Sequence, residues 1–132
     1  MPDYQIFGGT LRSDLSFPEL APFPSALPPR WMLSTSDRAM PVADSVVVGR
    51  EEVEPGVQVT FSRHSTGWRL RFDDTGTFDI STDGTRIDWV PTAEPDFASV
   101  RKDVLGRVLA VCLHQQGVLA LHGSAVELSG VA

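Results

Sequence analysis

The chain has 132 residues, 42% of them hydrophobic and 21% charged, which is typical of one globular domain with a core of its own and excludes a disordered chain. The formal net charge of −6 disfavours nucleic acids and anionic membranes as partners, because both are negatively charged. The single cysteine, Cys112, excludes an internal disulfide and fits a reducing cytoplasm.

We expect one cytoplasmic domain over residues 1–132. The first residues lack the basic segment and the apolar run of a signal peptide. No apolar run approaches the roughly 18 residues that a membrane helix needs. The sequence has no internal repeat, so each element is predicted from its own local pattern.

The first predicted strand spans Tyr4–Leu15 and is interrupted at Gly8-Gly9. Prolines then alternate with apolar residues over 21–29. Proline fixes φ and cannot donate a backbone hydrogen bond to a sheet, so this segment is predicted to be an extended connection. It is either a linker packed on the domain surface, which we favour, or a polyproline ligand for a partner.

Short strands are predicted over Trp31–Ser34 and Ser45–Gly49, with polar connections over Ser36–Asp44 and Arg50–Gly56. From Val57 onward apolar and polar residues alternate, which is typical of half-buried strands. Four such strands are predicted. Their apolar positions are Val57, Val59 and Phe61; Trp68, Leu70 and Phe72; Phe78 and Ile80; and Ile87 and Trp89.

Two glycine-containing turns predict how these strands pair. Asp83-Gly84 is typical of a two-residue hairpin loop, which pairs Ile80 with Ile87 and Phe78 with Trp89. Both pairs put apolar residues on one face of the sheet, as a buried face requires.

The turn before the third of these strands is predicted as a three-residue loop, Asp74-Thr75-Gly76, with glycine in the left-handed position. That loop pairs Phe72 with Phe78 and Leu70 with Ile80. The apolar residues again share one face, which supports the predicted register.

A long helix is predicted over Pro95–Gln115. Thr92 or Asp96 is expected to cap its start, and Gly117 to end it in the left-handed conformation. A helix with one apolar stripe covers one face of a sheet, so the predicted fold class is α+β: a mostly antiparallel sheet with one long helix packed on one face. The stripe consists of Phe97, Val100, Val104, Leu105, Val108, Leu109, Val111 and Cys112.

Asp79 and Asp88 fall opposite each other in the predicted register, and Arg71 falls beside Asp79. Paired carboxylates can perform acid–base chemistry or hold a hard cation. Because Arg71 neutralises part of the charge and no further oxygen ligand stands at a fixed spacing, we interpret the three residues as a solvated polar surface.

Two histidines and three serines carry weaker signals. His64 lies among turn residues and His114 lies near the end of the predicted helix, so we interpret both as solvated. Ser13, Ser124 and Ser129 have no base at a telling spacing, so no nucleophilic triad is predicted.

The last stretch, residues 117–132, predicts a short apolar strand, a polar break at His122-Gly123-Ser124, a second strand over Ala125–Leu128 and a turn at Ser129-Gly130. Backbone groups along one side of the second strand have no partner in the sequence. Such an edge is a template for another chain, so we predict either a homo-oligomer formed through it, which we favour, or fraying from Ser124 onward.

This stretch resembles the segment before the P-loop in HPr kinase/phosphorylase and the wider group of HPr-kinase-like proteins. The resemblance rests on His122-Gly123, Val126, Glu127 and Gly130, and the opening phrase Phe7–Leu20 resembles the N-terminal segment of these proteins. It implies an ATP-dependent kinase that uses Mg²⁺ and phosphorylates a serine of a protein or peptide. It also implies that His122 is an active-site residue beside the phosphates.

The phosphate-binding loop has no counterpart in these 132 residues. A P-loop needs G-x-x-x-x-G-K-[ST], and the only lysine, Lys102, follows no glycine-rich loop. We therefore expect the chain alone to bind neither ATP nor metal, and to be the truncated, N-terminal, pre-P-loop part of a parent kinase. The alternative is a stand-alone module that binds a protein or peptide through an exposed sheet edge.

Overall fold

The computed structural model describes residues 1–23 and 28–118. Within them, eight strands form a single sheet, and one continuous helix, α1, packs across it. The strands are β1 (Asp3–Ile6), β2 (Gly9–Ser13), β3 (Trp31–Thr35), β4 (Val46–Glu54), β5 (Val57–His64), β6 (Gly67–Phe72), β7 (Gly76–Ser81) and β8 (Arg86–Pro91). Helix α1 consists of α-helical parts at Phe97–Asp103 and Leu109–Gln115 on either side of a π-helical turn at Val104–Val108.

The sheet order is β1-β2-β3-β8-β7-β6-β5-β4. Strand β3 is parallel to both of its neighbours, β2 and β8, and every other pair is antiparallel. The prediction of an α+β fold with a mostly antiparallel sheet and one long helix on one face is confirmed. None of the helical segments in the described ranges is long and apolar enough to cross a membrane.

The core lies between α1 and one face of the sheet, as the period-two pattern predicts. The pairing of Phe78 with Trp89 and of Ile80 with Ile87 is confirmed. The Phe78 and Trp89 rings stack with centroids 6.1 Å apart, and the Trp89 indole N–H donates to the Thr75 carbonyl at 3.1 Å. Six predicted core residues are at most 2% exposed: Leu70, Phe72, Phe78, Ile80, Ile87 and Trp89.

The predicted pairing of β6 with β7 is wrong by two residues. Phe72 pairs with Gly76 and Leu70 with Phe78, so the loop is 73–75. Gly76 is the first residue of β7, where a Cβ would lie only 2.2 Å from the Val90 carbonyl oxygen. A shift of two residues keeps every side chain on its predicted face, because the side-chain period of a strand is two.

The predicted polar connection over Arg50–Gly56 is also wrong, since β4 runs from Val46 to Glu54 and pairs with β5. This strand is the edge of the sheet, and its ladder shifts register between Val47 and Gly49 and again between Glu52 and Glu54. Charged residues and bulges are typical of edge strands, because they discourage pairing with other chains. The polar sequence therefore reflects an edge position, not a loop.

The opening strand is a hairpin, β1–β2, turning at Phe7-Gly8. The start of the proline-rich segment runs beside β1: the Gln5 amide donates to the Ala21 carbonyl at 3.1 Å, and the Phe23 amide donates to the Asp3 carbonyl at 2.9 Å. Residues 21–23 thus lie against β1.

The predicted helix stripe is largely confirmed. Gly117 ends the helix at φ +80°, as predicted, whereas Asp96 at the N-cap position makes no side-chain capping bond. Phe97 was predicted to be in the stripe but is 52% exposed, and its ring makes an edge contact with the ring of Trp89. The π-helical turn adds a residue to one turn, which brings Leu113 into the core beside Cys112.

Candidate functional site

The sheet face opposite α1 carries a group of arginine, threonine, serine, histidine and aspartate side chains. The connection between β3 and β4 crosses this face: the Arg69 Nη2 donates to the Met40 carbonyl at 2.7 Å, and the Ser65 amide donates to the Ala43 carbonyl at 3.1 Å. Residues of this connection form part of the wall of two clefts on the polar face of the sheet.

We call the larger of these the arginine cleft. Register places Arg50, Thr60, Arg71 and Thr77 in one row across four neighbouring strands, β4 to β7. Their side chains share one face because residues directly opposite in a sheet point the same way. The cleft has a volume of about 560 Å³ and is lined by Arg50, Arg69, Arg71, Thr60, Ser62, Thr77, Val47 and Ala39.

Arg69 is held rigidly in the next row. Its Nε and Nη2 donate to the two carboxylate oxygens of Asp79 at 2.6 and 2.9 Å, and this bonding raises the pKa of Arg69 above its already high ordinary value. Asp79 lies opposite Asp88, as predicted, but the arginine beside it is Arg69, whereas Arg71 lies opposite Thr77. The predicted partial neutralisation therefore comes from a different arginine.

Arg50 and Arg71 have no ion pair or side-chain hydrogen bond among the described residues, and both are exposed. The acidic neighbours are already engaged at the strand ends. The Gly56 amide donates to Glu52 at 3.0 Å, and the Gln58 amide donates to Asp73 at 3.0 Å. The row thus presents two guanidinium groups that form no ion pair within the described ranges.

His64 is buried, which corrects the prediction that it is solvated. Its side chain is 2% exposed, and the Thr66 amide donates to its Nδ1 at 3.2 Å, which assigns the proton to Nε2. Within the part of the chain that the structure describes, the buried Nε2 atom has no hydrogen-bond partner, and it lies 3.9 Å from Asp79 Oδ1. Met40 and Val42 of the crossing connection close a cleft of about 180 Å³ beside it.

A third cleft, the helix cleft, lies on the other face, between α1 and the β4–β6 end of the sheet. It has a volume of about 670 Å³ and an apolar floor that includes Phe61 and Trp68. The Arg63 guanidinium lies 5.0 Å from the centre of the Trp68 ring, and Arg107 pairs with Glu51. His114, also at this cleft, is exposed as predicted.

His122, the catalytic residue that the resemblance implies, lies outside the described residues. So do the predicted strand Ala125–Leu128 and the serines Ser124 and Ser129. Lys102 is exposed on α1, and its Nζ lies 3.6 Å from Glu54. Ser13 is buried and donates to the Leu15 carbonyl at 2.9 Å, which is a structural role. The described ranges contain no group of three or more His, Cys, Asp or Glu side chains that could hold a metal ion.

The sequence pattern alone predicts only part of the arrangement of these sites. The alternation that puts Leu70 and Phe72 toward α1 also puts Arg69 and Arg71 on the opposite face, so their shared side was predictable. The addition of Arg50 depends on β4 being a strand, and the burial of His64 depends on the crossing connection.

No protein family model, curated protein or solved structure matches this chain.

Proposed function

We propose that this chain is the non-nucleotide-binding part of an HPr-kinase-like protein, a class of ATP-dependent kinases that phosphorylate a serine of a protein or peptide. The observation that carries the proposal is the pattern His122-Gly123, Val126, Glu127 and Gly130. In the proposed parent, His122 acts beside the phosphates, and ATP and Mg²⁺ bind to a P-loop outside these 132 residues.

The described domain fits a supporting role in such a kinase. Helix α1 ends at Gly117, shortly before His122, and is anchored to the sheet through buried Leu109 and Leu113. Side-chain bonds also tie its last turn to the sheet, because the Trp68 and Trp31 indole N–H groups donate to Gln115 and Gln116. The last described helix is therefore fixed to the sheet at its C-terminal end.

The position of the single lysine agrees with this proposal. Lys102 pairs with Glu54 at the exposed surface of the helix, a role unlike that of a P-loop lysine, which is held by a glycine-rich loop against a terminal phosphate. In the proposed parent, the nucleotide therefore binds outside these 132 residues.

Calorimetry of the 132-residue chain with Mg²⁺-ATP tests the proposal directly. We expect no binding in the micromolar range, because no P-loop is present. The reading frame after Ala132 provides the second test: a glycine-rich loop ending in Lys-Ser or Lys-Thr supports a parent kinase, and a stop codon contradicts it. In the longer protein, His122→Ala is expected to reduce phosphoryl transfer, whereas His114→Ala on the helix surface is not.

A second candidate function is peptide binding by strand addition. Strand β4 is an edge of the sheet, and Val46, Val47 and Val48 are 60%, 47% and 50% exposed. An extended peptide that pairs with such an edge gains backbone hydrogen bonds and covers exposed apolar side chains. Peptide-dependent protection of the β4 amides from hydrogen exchange would favour this function over the kinase proposal, provided that the chain and its natural neighbours lack a P-loop.

A further inference from the structure

We propose that the arginine cleft binds a small phosphate monoester. This inference concerns the sheet face opposite α1 and is independent of the nucleotide chemistry of the proposed parent kinase. The cleft volume of about 560 Å³ lies within the range of about 300–1,000 Å³ that is usual for small-molecule sites.

The arrangement of hydrogen-bond donors in the arginine cleft favours a phosphate monoester. Arg50 and Arg71 flank Thr60 in one row of the sheet, so their long side chains can reach a common point above its hydroxyl. The Ser62 and Thr77 hydroxyls line the same cleft. Two planar guanidinium forks with hydroxyl donors between them match an anion with three equivalent oxygens, because each fork donates two parallel N–H bonds.

The local positive charge of the arginine cleft also favours a phosphate monoester. The protein carries a net charge of −6, so a general attraction for anions is absent and any anion site has to be local. At the cleft, Asp79 pairs with Arg69, whereas Arg50 and Arg71 form no ion pair among the described residues. Two free positive charges match the charge of about −1.5 to −2 that a phosphate monoester carries at neutral pH.

One wall of the arginine cleft is also preorganised for a ligand. The two bonds from Arg69 to Asp79 and its bond to the Met40 carbonyl fix the wall of the cleft before any ligand binds. Ala39 of the crossing connection lines one side of the cleft. A wall that is already ordered lowers the entropic cost of binding.

Titration of the whole chain with glycerol 3-phosphate in Mg²⁺-free buffer, followed by calorimetry, tests the proposal. We expect saturable binding of glycerol 3-phosphate and none of glycerol, which lacks the phosphoryl group. Arg50→Gln and Arg71→Gln are each expected to weaken binding by about tenfold or more, because each removes a charged hydrogen-bonding fork. Arg71→Lys, which keeps the charge but loses the fork, is expected to lie between Arg71→Gln and the unmodified chain.

Arg63→Gln is the matched control. Arg63 is also an exposed arginine in the same sheet, but it faces the helix cleft, so the variant removes the same charge from the opposite side. We expect its affinity for glycerol 3-phosphate to stay within about twofold, since charges more than a Debye length apart are largely screened. Far-UV circular dichroism establishes that each variant is folded before its affinity is compared.

Two results would overturn the inference: an absence of saturable binding by the unmodified chain, or equal weakening by Arg63→Gln and Arg71→Gln. The measurement uses neither ATP nor Mg²⁺, so its failure leaves the kinase proposal unaffected, and a stop codon after Ala132 would leave this inference unaffected.

Discussion

At the scale of single residues, Asp103 is the carboxyl group whose environment alters its chemistry most clearly. It precedes the π-helical turn, and the Thr75 hydroxyl donates to its Oδ2 at 2.7 Å. Burial raises the pKa of Asp103 from 3.8 to about 6; the Thr75 bond and Arg107 oppose the shift, whereas Asp74 and Glu54 add to it. The folded protein therefore favours the protonated form of this group.

This shift predicts that Asp103→Asn stabilises the protein at neutral pH. Because the folded pKa is the higher one, the contribution of Asp103 to stability is fully present below pH 3.8 and is lost as the pH rises through about 6. Asp103 is only half-buried, so after solvent screening we expect the variant to gain about 1 kcal/mol in unfolding free energy at neutral pH. Near the unfolded pKa we expect little difference.

Urea denaturation of the variant and the unmodified chain at pH values near 4.5 and 7.5 measures this difference. Asp37→Asn, in the exposed connection between β3 and β4, controls for the loss of one negative charge. A gain from Asp103→Asn that is equal at both pH values, or that Asp37→Asn reproduces, would contradict the assignment.

At the scale of elements, the β7–β8 hairpin and the end of α1 are fitted to each other at Gly84. This residue has φ +72°, and a Cβ there would lie only 2.4 Å from the Cys112 carbonyl oxygen. Side chains of the last helical turn complete the contact: Gln115 Nε2 donates to the Thr82 carbonyl at 2.9 Å, and Gln116 Nε2 donates to the Gly84 carbonyl at 3.4 Å. The hairpin glycine thus serves both the turn and the helix packing.

Comparison of two glycine variants separates these two roles. Gly56 has nearly the same φ, +79°, but nothing lies within 4 Å of where its Cβ would stand. We expect Gly56→Ala to cost only the left-handed strain, about 1 kcal/mol. Gly84→Ala adds a clash with the helix backbone and should cost about 2–4 kcal/mol. Equal shifts in the denaturation midpoint would show that the hairpin does not touch the helix in solution.

At the scale of the whole molecule, the described sheet has one protected edge and one open edge. The segment Ala21–Phe23 runs beside β1, whereas no strand within the described ranges pairs with the outer side of β4. The predicted strand Ala125–Leu128, outside the described residues, supplies the further edge through which the sequence predicts a homo-oligomer. Unpaired edges associate readily, because their backbone groups gain hydrogen bonds from a second chain.

Two lysine variants distinguish the edges. We expect light scattering to find a homodimer of the 132-residue chain, Val126→Lys to convert it to a monomer, and Val46→Lys to leave it dimeric, because a charge at the pairing edge opposes strand addition. A monomer produced only by Val46→Lys would assign the dimer to β4. A monomeric unmodified chain would contradict association through either edge.

The face on which each side chain lies followed from the local sequence pattern alone. Alternation along a strand is a local property, so Phe72, Phe78 and Trp89 were placed on the buried face correctly, and the two-residue error in the β6–β7 pairing left that face unchanged. The class of the fold, the helix and its end at Gly117 also followed from local periodicity and glycine chemistry.

Which residues meet across the chain depends on tertiary contacts. The partner of Asp79 is Arg69 because the loop before β7 spans residues 73–75, one residue earlier than predicted, which shifts the β6–β7 pairing by two residues. His64 is buried because a connection distant in sequence crosses the sheet above it, and Arg50 joins the arginine cleft because a charged edge segment pairs with β5. These contacts join residues far apart in the sequence, and local patterns carry no information about how the chain closes between them.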